Sequence, residues 1–379
     1  MNTAYITQTG AHLPGEPVDN ERIEAVLGYV HDKPSKLKRR ILKSNGILTR
    51  HYAIDDQQQT LIQNDEMAVH AGKLALERAG LEPSDVGMLS AATSQGDYVL
   101  PGFGSQVQAG LEIPRAELMT AHGICSCAMM ALKAAVNGVK VGDQSQALVV
   151  SSELSSRLLK KQRYEAATES IGAARGLDFN AEFLRWMLSD GAGALVVSDA
   201  PSRRDRSFRI DWIRSFSHAD SFPVCMSVGH SGKGPEAPLS WQDYPTYGAA
   251  EADGALLIRQ DVRLLENIVK LGVDGFLALI EEGAVAPDQV DHFLCHYSSH
   301  YFRGKIIDML TKAGAMIPED RWFTNLYDKG NTGCAAMFIM IDEFFQSGRA
   351  QPGETILCHI PESGRFNTVY MQMTCVEVS

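Results

Sequence analysis

Long apolar runs are missing from this chain of 379 residues. The longest, Cys334 to Ile341, stops at Asp342, far short of the roughly 20 residues a membrane-spanning helix needs. The opening residues also lack a basic start followed by an apolar stretch, the pattern of a secretory leader. Bases are too few to balance acids, 35 against 46, for a formal net charge of −11. Such a chain is repelled by polyanions, so neither nucleic acid nor an anionic membrane surface is an expected partner. Cysteines number seven, and no two stand in Cys-x-x-Cys spacing, which argues against a disulfide framework and the common zinc and redox motifs. A soluble protein of the reducing cytoplasm is the expectation.

What is present is the material of a large globular core: 45% hydrophobic and 21% charged residues, with 33 Gly and 15 Pro, which excludes disordered and collagen-like chains. One local exception to the acidic balance is the basic run Lys33, Lys36, Lys38, Arg39, Arg40 and Lys43. It reads either as a solvated helix face or as a dock for an acidic partner such as a carrier protein, with Arg39, Arg40 and Lys43 as contacts.

The most informative feature is internal. GLEPSDVGMLSAATS at 80–94 and GAVAPDQVDHFLCHYSS at 283–299 each follow a helix-like segment and pass through a proline turn into an apolar strand. Later, Cys125 and Asn331 each open an apolar segment, and Gly142 and Gly348 both fall at position +17 from those residues. The intervals from Val86 to Cys125 and from Val290 to Asn331 are 39 and 41 residues. Two similar units, at 1–205 and 206–379, are implied, each alternating strands with helices as in parallel-type sheets. The stretches 155–187 and 218–253 break the symmetry and read as surface insertions.

Cys125 precedes a run of good helix formers, Ala128 to Leu132, just after Gly123. At a helix amino end, unpaired N–H groups and the macrodipole favour a thiolate, so the thiol is expected to ionise toward neutrality. The alternative is a small buried hydrophobe. His296 ends the strand-like segment His292 to Cys295, and Asn331 occupies the repeat position of Cys125. Taken singly, each has a bland reading as a core histidine or a turn residue. Together with Cys125 they suggest a nucleophile served by two hydrogen-bonding partners. Glu153, just past an apolar strand, is either a second base or a solvated or capping carboxylate. His122, Cys125 and Cys127 offer three metal ligands but no fourth, and no metal is expected.

These residues resemble the thiolase superfamily, and within it the β-ketoacyl-acyl-carrier-protein synthase III group. Cys125 followed by Ala131 and Leu132 looks like the family's nucleophile motif. Leu294-Cys295-His296 and Gly330-Asn331-Thr332 are similar to its histidine and asparagine motifs, Asn45 to Tyr52 to its early signature, and Asp190 to Ala194 to the end of its first half. The resemblance implies a five-layered αβαβα fold from two pseudo-twofold halves and a condensing acyltransferase with catalytic Cys125, His296 and Asn331. It further implies an oxyanion hole from the N–H groups of Cys125 and Gly364, and a homodimer in which Leu100 and Phe103 reach the partner's acyl tunnel. The substrates would be thioesters of coenzyme A or acyl carrier protein, with no other cofactor.

The chain departs from the family pattern at Ser126-Cys127-Ala128, at Arg40 and Ser44, where the family grips coenzyme A, and at the closing motif Glu362 to Phe366. These departures look more like ketosynthase-cyclases that join two β-ketoacyl thioesters into cyclohexanediones on the way to dialkylresorcinols or stilbenes. A decarboxylative, chain-initiating synthase III using a malonyl carrier thioester and a silent partner subunit of a heteromeric synthase are the alternatives.

Overall fold

A computed structural model of the chain describes residues 2–169, 179–231 and 238–378. Ten strands make its main sheet: β1 (Tyr5–His12), β2 (Met88–Thr93), β3 (Glu117–His122), β4 (Gln146–Glu153), β5 (Gly191–Ser198), β6 (Ser207–Ser217), β7 (His292–Cys295), β8 (Trp322–Phe323), β9 (Thr355–Glu362) and β10 (Asn367–Val376). Their spatial order is β8-β7-β9-β10-β6-β1-β5-β4-β2-β3. Read from each outer edge inward, both halves follow the third-second-fourth-fifth-first order, and they meet where Tyr5 and Ile6 of β1 pair with Arg209 and Phe208 of β6.

The parallel-type sheets expected from the alternation of strands and helices are in fact mixed. In each half three strands run parallel, β3-β2-β4 and β8-β7-β9, while the fifth strand turns antiparallel to both its neighbours. In the second half the reason is connectivity: no helix intervenes between β9 and β10, which are joined by a tight turn at residues 363–366, and a hairpin connection forces antiparallel pairing. In the first half β5 returns antiparallel to β4 after residues 154–190, which include the helices Ser156–Leu159 and Lys161–Glu169.

Six helices cover these strands: α1 (Asn64–Ala79), α2 (Phe103–Gly110), α3 (Cys127–Val141), α4 (Glu266–Glu281), α5 (His300–Lys312) and α6 (Ala336–Gln346). Strand alternation assigns the layers. Ala147 and Val149 of β4 and Ile356, Cys358 and Ile360 of β9 face a central cluster built on α3 and α6. Leu148 and Val150 point the other way, onto α1 and α2, and Leu357 points onto α4 and α5. The result is the helix-sheet-helix-sheet-helix stack that the resemblance implied.

The central position of α6 explains the longest apolar run of the sequence, since Ala336 to Ile341 are all buried and a helix between two sheets has no wet face. Helices α3 and α6 end at Gly142 and just before Gly348, with φ of 86° and 68°. A left-handed residue that stops the helix accounts for the repeated +17 glycine.

The stretch 155–187 is not a surface insertion over the residues described. Leu159, Tyr164, Leu184 and Trp186 are buried, because the segment around residues 18–54 lies over them and supplies Ile23, Leu27 and Ile41 to one cluster with Leu159, Leu184 and Trp186. Residues 170–178 of that stretch, and 232–237 of the stretch 218–253, lie outside the described residues. No helix among those described is long and apolar enough to cross a membrane.

The layers pack tightly enough to forbid a side chain at Gly193 on β5. A Cβ there would lie 2.5 Å from Phe338 Cβ and 2.9 Å from Ile339 N on α6. Gly193→Ala is expected to destabilise the protein by about 1–3 kcal/mol through overpacking, read as a lower midpoint in urea unfolding. An unchanged midpoint would show that the sheet and α6 can separate at little cost.

Candidate active site

The turn from β3 into α3 carries Cys125. Gly123 permits it: a Cβ at that position would sit 2.9 Å from Cys127 Cβ. The chain then folds back so that Cys127 N–H donates to Ile124 O at 3.1 Å. Across the pseudo-twofold, Gly330 with φ 72° and Gly333 with φ 55° bracket Asn331 before α6. Asn331 N–H donates to Met187 O at 3.1 Å, and Ser189 N–H donates to Asn331 O at 2.9 Å. The Asn331 Oδ1 accepts Gly333 N–H at 3.1 Å, which leaves Nδ2 as the outward donor.

Cys125, Glu153 and Asn331 line one cavity, with Ser94, Phe183 and Ser363 among its other walls. His296 is not among the lining residues. It follows the last residue of β7, buried, two residues before Ser298, which does line the cavity. Its backbone N–H donates to His359 O at 3.0 Å, and its Nε2 has no hydrogen-bond partner among the described residues. Burial holds this imidazole neutral, lowering its pKa to about 4.

The expectation of a readily ionised thiol is corrected here. Burial pushes the Cys125 thiol well above its usual range, and the nearby carboxyl groups of Glu362 and Glu153 push it further. The helix amino end still favours charge at this position, but desolvation and two acidic neighbours outweigh it. Cys125 therefore rests as a thiol.

Glu153 is buried rather than solvated and takes the capping position that was one of its alternative readings. It accepts hydrogen bonds from the Ser94 hydroxyl and, at 3.2 Å, from Cys334 N–H in the turn leading into α6, and burial raises its pKa. Gly333 is required beside it, since a Cβ there would fall 2.6 Å from Glu153 Oε2.

Gly364 lies in the turn after β9, where a Cβ would meet Ile124 Cδ1 at 2.8 Å. That puts its backbone against the residue preceding Cys125. Among the described residues the N–H groups of Cys125 and Gly364 donate to no other residue. Sequence reasoning missed Glu362, which accepts the Ser126 N–H at 3.0 Å and the Ser126 hydroxyl at 2.5 Å. Its only signal was the departure of the closing motif from the family pattern.

Leu100 and Phe103 part company. Leu100 is 84% exposed, beside exposed Tyr98 and Val99, whereas Phe103 is only 4% exposed. Phe103 opens α2 and points into the cluster of its own half, so it does not reach a neighbouring subunit. Arg39, Arg40 and Lys43 lie exposed on the short helix Lys38–Asn45, with the Arg40 guanidinium 5.6 Å from the centre of the Phe179 ring.

Two outcomes follow from these charges. Alkylation of Cys125 by iodoacetamide should speed up by about tenfold per pH unit from pH 7 to 9, because only the thiolate reacts; a plateau near pH 7 would show an ionised resting sulfur. Stability should fall as pH drops. His296, at about 4, and His359, at about 3, are both depressed by burial below the 6.5 of an exposed imidazole. Between those values and 6.5 the unfolded chain binds more protons than the native one, so lowering the pH favours unfolding. His359→Gln should flatten the fall in urea midpoint below pH 6.5, and an unaltered slope would place the proton uptake elsewhere.

Known proteins resemble the chain over most of its length. Residues 280–359 match the family described as 3-oxoacyl-[acyl-carrier-protein (ACP)] synthase III C terminal. Over 365 residues the chain is 25% identical to a β-ketoacyl-[acyl-carrier-protein] synthase III of Rhodospirillum rubrum, covering 94% of this chain and 95% of that one. Among solved structures, the tetronic acid condensing enzyme AbyA1 superposes with a TM-score of 0.77 at 20% identity, over 98% of this chain and 99% of that one. OleA of Xanthomonas campestris, with lauric acid and lauroyl-CoA bound, gives 0.74 at 18% over 99% of both. The 3-oxoacyl-[acyl-carrier-protein] synthase III of Aquifex aeolicus gives 0.71 at 21% over 98% and 99%. The chain therefore shares the fold of these synthase III and condensing enzymes along nearly its whole length and carries the synthase III C-terminal match over residues 280–359.

Proposed function

We propose that this enzyme joins two acyl thioesters without decarboxylation, the second being a β-ketoacyl thioester, and closes the product to a cyclohexanedione of the kind that leads to dialkylresorcinols or stilbenes. The observation that carries this reading is the buried Glu153 carboxyl in the same cavity as Cys125. A malonyl donor generates its enolate by losing carbon dioxide and needs no strong base. A methylene between two carbonyls must lose a proton, and a carboxylate whose pKa is raised by burial accepts one better.

In the first step Cys125 Sγ attacks the carbonyl of the first thioester. A carbon–sulfur bond forms, the carrier thiol leaves, and the thiol proton goes to that leaving sulfur, passing through the unpartnered Nε2 of His296. Negative charge on the carbonyl oxygen meets the N–H groups of Cys125 and Gly364, donors of a kind whose removal elsewhere costs about 3 kcal/mol. In the second step Glu153 takes the proton from the methylene of the β-ketoacyl thioester. Asn331 Nδ2 and the protonated nitrogen of the neutral His296 stabilise the enolate. The carbanion attacks the Cys125 thioester, a carbon–carbon bond forms, and the Cys125 sulfur leaves and recovers a proton. In ring closure a second carbon of the first unit gives up a proton to Glu153, which has by then passed its earlier proton to the Cys125 sulfur. That carbon forms a carbon–carbon bond to the carbonyl of the second thioester and expels the second carrier thiol.

Coenzyme A or acyl carrier protein carries the substrates, and no other cofactor enters this scheme. OleA with bound lauroyl-CoA supports a coenzyme-borne substrate, and the exposed Arg39, Arg40 and Lys43 support an acidic carrier docking on their helix. The exposed Tyr98-Val99-Leu100 segment supports a homodimer. The synthase III name of the Rhodospirillum relative favours a second reading, decarboxylative condensation with a malonyl thioester.

Mass spectrometry of products separates the two. Paired β-ketoacyl thioesters should yield the cyclic dione, and a ketoacyl product formed only when malonyl thioester is present would overturn the first reading. Glu153→Gln should still form the acyl-enzyme at Cys125 yet lose condensation of β-ketoacyl pairs by about 100-fold or more. Condensation at the wild-type rate would remove Glu153 as the base.

A further inference from the structure

Glu153 and Glu362 are the last residues of β4 and β9, the fourth strands of the two halves. Each reaches across the pseudo-twofold to the amino end of the other half's central helix, Glu153 to Cys334 N–H and Glu362 to Ser126. The first faces the cavity and has a chemical task in the scheme above. The second has had none.

The contacts of Glu362 are unusually specific for an end-of-strand residue. One oxygen, Oε2, accepts both the N–H and the hydroxyl of Ser126, at 3.0 and 2.5 Å. The residue opposite Glu362 in the hairpin register is Asn367, whose Nδ2 donates to the same Ser126 Oγ at 2.8 Å. The other carboxyl oxygen, Oε1, lies 3.2 Å from where a Cβ on Gly364 would stand. Glu362 thus sits between the residue that follows Cys125 and the Gly364 backbone.

We propose that Glu362 is a positioning residue for acyl transfer: from the second half it holds the turn carrying Cys125 against the turn carrying Gly364, so that their two N–H groups keep one spacing. Those N–H groups come from different halves of the chain, and no backbone hydrogen bond among the described residues joins residues 123–126 to 363–365. Their alignment depends on side chains, and the Ser126–Glu362–Asn367 triangle is the link present. An oxyanion hole whose donors shift by about 1 Å can lose about 100-fold in rate, so the link matters for chemistry beyond folding.

The same carboxylate has an electrostatic consequence. The titratable groups facing the Cys125 sulfur are Glu362 from the end of β9, Glu153 from the end of β4 and Cys127 on α3. A negative charge here resists ionisation of the thiol until substrate arrives.

The inference rests on Cys125 as acyl acceptor, and Cys125→Ala tests that separately: if an acyl group still loads onto the protein, the parent reading fails whatever Glu362 does. Acyl-enzyme formation from an acyl-coenzyme A, followed by intact-protein mass spectrometry in a single turnover, reads the positioning role without a second substrate. Glu362→Ala should slow acylation by about 10- to 100-fold. Glu362→Gln, which keeps an oxygen acceptor in the same place, should restore most of that rate. The Gln variant should also move the pH midpoint of Cys125 alkylation downward, a change that loss of packing would not produce.

Acylation by the Ala variant at the wild-type rate overturns the proposal, as does a folded Gln variant as slow as Ala or an unshifted alkylation midpoint. If the Ala variant does not fold, Ser126→Ala decides, since it removes the hydroxyl from the triangle and leaves the carboxylate. Slower acylation supports the link, and an unchanged rate overturns it.

Discussion

Two apolar helices buried back to back between sheets impose the governing constraint on this molecule. The first turn of any helix has N–H groups without intrahelical partners, and α3 and α6 begin where water is nearly excluded. Neither has a side-chain cap from its own preceding residue. Each half instead extends the carboxyl at the end of its fourth strand to the opposite helix. The fold is held at its centre by crossed contacts, and the space between them is the cavity in which Cys125 and Asn331 meet.

That arrangement sets the chemistry. A cavity lined by Glu153 and the buried Cys125 thiol, with the Glu362 carboxyl close to that thiol, is one in which charge is costly. Cys125 stays protonated, His296 stays neutral, and Glu153 has a raised affinity for a proton. The N–H groups of Cys125 and Gly364 donate to no other residue among those described, and the proposed scheme uses them where negative charge develops. A resting thiol also reacts slowly with electrophiles.

Much of this was legible in the sequence because a repeat converts position into geometry. Matching Cys125 to Asn331 and Gly142 to Gly348 puts two strand-to-helix turns near one another about a pseudo-twofold, while the αβαβα layering was what the resemblance to the thiolase superfamily implied. The antiparallel fifth strand of the second half was not legible, since a four-residue turn and a long crossover differ by a detail that hydrophobic patterning does not record, and in the first half β5 is antiparallel even after a long connection. Phe103 was misassigned for a related reason. An aromatic at the start of a helix packs inward or outward according to the strand beneath it, and the sequence around Leu100 gives exposure without direction.

The ionisation of Cys125 shows where sequence reasoning stops. A helix amino end is visible as a run of helix formers after glycine, and its dipole argues for a thiolate worth about 1 kcal/mol. Opposing it are desolvation, which depends on two layers that neither flank announces, and a glutamate more than two hundred residues downstream in the chain. The dipole is a property of one segment, whereas the opposing effects belong to the assembly of both halves. Electrostatics in a pseudo-symmetric site is therefore decided by what each half contributes to the other. The same reasoning explains why Glu362, an anomaly in a linear motif, becomes intelligible as the counterpart of Glu153 once the two fourth strands are superposed.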